Sequence, residues 1–199
     1  MSARSPDREP LVSTLSTGRS YVYVLPCDGE DLLKIGFTRD PLQRLRTLHR
    51  RYFDFFDLDA GFLVQTDSVR EARVIERRWG AQFVEHRAAM PLTIAAGAGG
   101  DTEWYRGALP ALHVAATEAE SAGYTVHRPL RYWLTTTLRS AGTHVWEWAR
   151  HALLLIDAGQ VGASTQLRDG LDALAAVGID VADCVDEDVL RVYRSLPPR

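Results

Sequence analysis

Leu33-Lys34-Ile35-Gly36-Phe37-Thr38-Arg39-Asp40-Pro41-Leu42-Gln43-Arg44-Leu45-Arg46-Thr47-Leu48 joins a short apolar strand to a proline-started helix. Lys34-Ile35-Gly36 ends a run that opens at Leu32. Asp40 is placed to cap the helix through its carboxylate, and Pro41 suits the first helical position, where an N–H would be unpaired in any case. Gly36 permits a close backbone approach, Thr38 offers a hydroxyl, and Arg44 and Arg46 project just downstream. Such a strand-to-helix junction suits a phosphate.

Upstream, Tyr21-Val22-Tyr23-Val24-Leu25 is rich in β-branched and aromatic residues, and Pro26 to Glu30 supplies turn chemistry with Gly29 able to take positive φ. The first unit is therefore a β-hairpin feeding a helix whose buried stripe is Leu42, Leu45, Leu48 and Tyr52. Ala60 to Gln65 reads as a third strand. Ser68 followed by Glu71 is a capping box. It opens a helix with the apolar stripe Val69, Ala72, Ile75, Trp79 and Phe83. Capping accounts for Glu71, whereas Glu76 at the stripe's edge has two readings, a ligand or an ion pair with Arg73 or Arg77. Met90 to Gly100 is a small-residue connection expected to be mobile. It leads to Glu103-Trp104-Tyr105, whose aromatic pair is expected to dock on the sheet; Glu103 is either exposed or part of a site.

After Gly107 the pattern turns helical, with breaks at Gly123, Gly142, Gly159 and Gly178. Helices are expected over about 108–122, 129–138 and 145–156, from about 164, and over about 186–196. The expected class is α+β, with a small three-stranded antiparallel sheet flanked by helices and then an all-α C-terminal region. The expected divisions are a mobile leader over 1–18, a sheet domain over 19–107 and a helical accessory domain over 108–199. The helical half reads as a module for a protein partner or self-association, ahead of a helix-turn-helix reader that its acidic balance disfavours. His144 and His151 lack further ligands and read as packing residues.

The chain has 199 residues and a formal charge of −3, and the acidic excess collects in its later part. A local basic face is compatible with that total: Arg39, Arg44, Arg46, Arg50 and Arg51 follow the organising strand, and Arg70, Arg73, Arg77 and Arg78 lie on a later helix. Lys34 is the sole lysine. Cys27 and Cys184 belong to no ligand spacing and read as reduced and structural. No apolar run approaches a membrane span, so a cytoplasmic location without membrane contact is expected.

The N-terminal half resembles the GIY-YIG nuclease superfamily, and more closely its divergent branch, the bacteriophage open-reading-frame-172 type of DNA-binding domain. The resemblance spans about Tyr21 to Arg106. Its parts occur in order as Tyr21-Val22-Tyr23, Lys34-Ile35-Gly36, Thr38, Arg44, Glu76 and Glu103-Trp104-Tyr105. Tyr21 stands where the superfamily name has glycine and Lys34 where it has tyrosine; the lysine form is that of the divergent branch. The resemblance implies a metal-dependent DNA endonuclease, with Tyr23 activating or positioning water, Arg44 stabilising the phosphate and Glu76 holding Mg²⁺ or Mn²⁺. It further implies that Lys34 keeps a phosphate contact or takes over part of the proton traffic. Thr38, Arg39, Arg46, Arg50, Arg51, Arg73 and Arg77 are the candidate contacts to duplex or branched DNA. A DNA-binding module without chemistry, and a regulatory protein acting through its helical half, are the other two readings.

Overall fold

A computed structural model describes residues 18–94 and 102–197. The leader expected before residue 18 and most of the small-residue connection lie outside the described residues. The described residues divide into two compact units, one up to residue 137 and one from residue 138 onward. Residues 108–137, which the sequence groups with the helical half, supply a helix, a strand and most of a second helix to the sheet unit.

Strands β1 (Ser20–Pro26) and β2 (Leu32–Thr38) form the expected hairpin, turning with Gly29 at a φ of 68°. The helix α1 (Pro41–Leu48) follows, capped by Asp40, whose carboxylate accepts the Gln43 N–H at 3.1 Å. Leu42, Leu45 and Leu48 are its buried stripe. It stops there because His49 turns extended, and Tyr52 is buried from a separate short helix, α2 (Tyr52–Phe55). Strand β3 (Phe62–Thr66) pairs with β1, and α3 (Val69–Gln82) begins at Ser68, whose hydroxyl accepts the Glu71 N–H. Glu71 reaches back to the Asp67 N–H, completing the capping arrangement one residue earlier than the usual partner.

Among the described residues the sheet has five strands, in the order β4 (Trp104–Arg106), β2, β1, β3, β5 (Thr125–His127), all antiparallel. The three expected strands are its centre. The two additional strands are three residues each, too short to carry a period-two signal of their own. One of them, β5, falls in the region expected to be all-α, where it pairs with β3.

Alternation along the strands gives the sheet two different faces. Val22, Val24, Leu33, Ile35, Phe62 and Val64 form one core with Ala72, Ile75 and Trp79 of α3 and Leu112, Ala115 and Ala116 of α4 (Leu109–Ser121). Tyr23, Leu25 and Leu63 point the other way and meet Pro41, Arg44 and Leu45 of α1. Tyr21 is buried on that side too, with Trp133 of α5 (Leu130–Ser140) edge-on at 5.7 Å and His127 at 6.2 Å.

The unit over 138–199 is built from α6 (Gly142–Asp157), α7 (Ala163–Ala176) and α8 (Glu187–Ser195) around Val145, Ala149, Leu167, Leu171, Leu174, Val189 and Leu190. Asp186 caps α8 on the Val189 N–H and pairs with Arg150 at 3.0 Å. His144 and His151 are exposed rather than packed. Both cysteines are free thiols, and burial pushes that of Cys27 up to about 11. No helix among the described residues is long and apolar enough to cross a membrane.

Candidate nucleic-acid and catalytic site

The β1–β2 register sets Tyr23 opposite Gly36. Tyr23 is 2 % exposed, and its ring lies directly over that glycine: a Cβ on Gly36 would stand 2.3 Å from the phenol oxygen and 2.5 Å from the carbon that bears it. Gly36 has no positive φ, so space rather than torsion demands glycine. The close approach read from the sequence is therefore made by a tyrosine. The phenol oxygen accepts a 3.1 Å hydrogen bond from Nε of Arg44, one turn into α1. Burial pushes the Tyr23 phenol up to about 12, against a lowering by the Arg44 guanidinium, and it is therefore neutral at physiological pH.

On the next strand position but one, Lys34 is wholly buried, its ammonium 3.2 Å from Oε2 of Glu103 and 5.1 Å from the centre of the Trp104 ring. An isolated buried ammonium would be costly; a carboxylate and an aromatic face offset that cost. Backbone pairing locks the arrangement, since Lys34 is the register partner of Trp104 and the Ile35 N–H donates to the Glu103 carbonyl. The indole N–H of Trp104 is buried without an acceptor among the described residues.

Glu76 is half-buried on α3. Burial, and then the charge of Glu103, raise its carboxyl above the ordinary glutamate value, against smaller opposing effects of Arg77, Lys34 and Arg73. Glu76 and Glu103 also raise the Tyr23 phenol, which ties both acids to the same locality. A carboxyl held up in this way predicts a stability signature. Its folded-state pKa lies above the unfolded one, so this group favours folding most at low pH and loses that contribution as pH rises through the folded value. Glu76→Gln is accordingly expected to melt about 1–2 °C higher than wild type at pH 7. At pH 4 the difference should vanish, as paired thermal scans would read; equal gaps at both pH values would reject the electrostatic origin.

The remaining candidates separate. Arg73 and Arg77 are exposed on α3, with the Arg73 guanidinium 5.4 Å from the Phe37 ring centre. Arg39 and Arg50 are exposed beyond the two ends of α1. Arg46 is on α1; loss of hydration around its guanidinium lowers its pKa, against smaller opposing effects of Tyr52 and Asp40. Arg51 is drawn into local structure, with Nε 2.6 Å from Asp54 and its guanidinium 4.7 Å from the centre of the Phe53 ring. The Thr38 hydroxyl bonds to the backbone of Asp40, accepting its N–H at 3.0 Å, and so shapes the entry to α1. Local sequence leaves Glu103 open between a surface and a site position. The usable signal was Lys34 itself: a lysine inside a strand buried on both faces requires a carboxylate partner.

Among the described residues no group of three or more His, Cys, Asp or Glu side chains could cage a metal. The donor set fits a different mode of holding. Glu76 is half-buried and repelled by Glu103, so a divalent cation would favour its ionised form, and one carboxylate would suffice for Mg²⁺ that retains most of its waters.

An antiparallel sheet with Tyr23 on β1, Arg44 on α1 and Glu76 on α3 has the α+β architecture of a nuclease-like module in the GIY-YIG superfamily context. A family model for the T5orf172 domain matches residues 20–120, and the chain belongs to that family. The family is a nuclease-like, DNA-binding one. No curated protein and no solved structure matches the chain.

Proposed function

We propose that the protein is a divalent-metal-dependent DNA endonuclease acting on duplex or branched DNA. The observation that carries this reading is the Tyr23–Arg44 hydrogen bond seated on Gly36, with Glu76 in the same electrostatic neighbourhood. Glu76 is the residue that would hold Mg²⁺ or Mn²⁺. Such a cation, when bound, neutralises charge on the scissile phosphate and the leaving oxygen. The guanidinium of Arg44 presents donors in fixed geometry to a phosphoryl oxygen. Tyr23, neutral and accepting from Arg44, orients a water through its remaining O–H and lone pair; burial disfavours the phenolate that direct proton abstraction would require. Arg73 and Arg77 on α3, with Arg39, Arg46 and Arg50 around α1, supply phosphate contacts that position the duplex without reading its sequence.

The test is cleavage of supercoiled plasmid and of a branched duplex with Mg²⁺ or Mn²⁺. Wild type should nick or cut, and Arg44→Ala and Glu76→Ala should each lose at least about 100-fold in rate. Salt-sensitive binding without cleavage on every substrate would replace the endonuclease by a DNA-binding module of the same fold. Cleavage untouched by Glu76→Ala would remove Glu76 from the chemistry.

A further inference from the structure

Lys34 cannot act as a freely projecting phosphate ligand, because its side chain is wholly enclosed. Glu103, which holds it, is 35 % exposed. The pair thus runs from the sheet floor outward, with the cation inside and the carboxylate at the surface. Glu76 on α3 and Tyr23 on β1 feel the Glu103 charge, Lys34 acts in turn on Glu76, and Arg44 of α1 closes the group through Tyr23.

We propose that Glu103 is a positioning residue of this site: through its contact at 3.2 Å it keeps the Lys34 ammonium fixed beneath the reacting groups. The inference rests on the endonuclease reading but stands on its own geometry. Three features point to a built arrangement. The partners are 69 residues apart in sequence, they are brought together by the β2–β4 ladder, and the residue between Glu103 and that ladder's second pair, Trp104, supplies the aromatic face under the same ammonium. A lysine whose only duty was to solubilise the strand would point to water.

Because Lys34 is the sole lysine, lysine-selective ¹⁵N labelling of the full chain yields a single side-chain ammonium signal. A buried ammonium held by a carboxylate exchanges its protons slowly, so wild type should show this signal at neutral pH. Glu103→Gln should speed the exchange at least tenfold or abolish the signal, and Glu103→Asp, which keeps the charge, should restore it in large part. In the plasmid assay Glu103→Gln should lower kcat at least tenfold while the Kd for DNA stays within twofold. An unchanged ammonium signal in a folded Glu103→Gln overturns the proposal, as does a lost signal with wild-type kcat. If Glu103→Gln fails to fold, Glu103→Asp alone decides, since a slowed ammonium with near-wild-type kcat supports the role and a wild-type kcat with fast exchange refutes it. A wild type that cleaves nothing removes the endonuclease reading; the ammonium signal then decides by itself whether Glu103 holds Lys34.

Discussion

Gly36→Ala is expected to lower stability by about 2–4 kcal/mol, the sum of overpacking and of one displaced hydrogen bond, and to abolish cleavage. The added methyl would stand 2.3 Å from the Tyr23 hydroxyl oxygen, 2.5 Å from the ring carbon that carries it and 2.9 Å from the next. Those atoms belong to a ring buried between the strand and α1, so the phenol must leave its position, and with it goes the bond from Arg44. Denaturant midpoints and circular dichroism would read the loss. The cause is separable by a second substitution. Tyr23→Phe removes only the nearest of the three atoms, so Gly36→Ala/Tyr23→Phe should recover little, whereas Gly36→Ala/Tyr23→Val clears the whole ring and should recover much of the stability without activity. Equal recovery by both would mean that the hydroxyl alone, and not the ring, requires glycine.

Removing either member of the Lys34–Glu103 pair should have unequal effects. Lys34→Met keeps most of the length and the apolar body of the side chain and leaves a carboxylate that already reaches solvent, so the expected cost is about 1–2 kcal/mol. Glu103→Ala strips a carboxylate from an ammonium that has no route to water, and a cost of about 3 kcal/mol is expected. The decisive quantity is exposure, 0 % for the lysine side chain against 35 % for the glutamate. Urea unfolding of the two variants beside wild type would check the order. A larger loss in Lys34→Met would show that packing against Trp104, and not burial of charge, sets the balance.

Local signals in the sequence were strong where short-range geometry decides. The hairpin turn at Gly29, the Asp40 cap, Pro41 at the helix start, the Ser68–Glu71 box and the stripe Leu42, Leu45, Leu48 all form as their chemistry requires, because each depends on neighbours within four residues. The β-branched and aromatic residues of β1 and the turn after it likewise announced a hairpin, and the ordered motifs announced the family.

Tertiary structure alone decided the rest. The edge strands Trp104–Arg106 and Thr125–His127 exist because longer strands offer them open ladders, a property of their partners and not of three residues. Glu103 became a site residue only when β2–β4 pairing carried it across 69 positions to the one lysine in the chain. The strand-to-helix junction drew attention to Gly36 and Arg44, and the family resemblance to Tyr23; that the tyrosine lies on the glycine and the arginine holds the tyrosine is a consequence of strand register and helix placement, which no local pattern encodes.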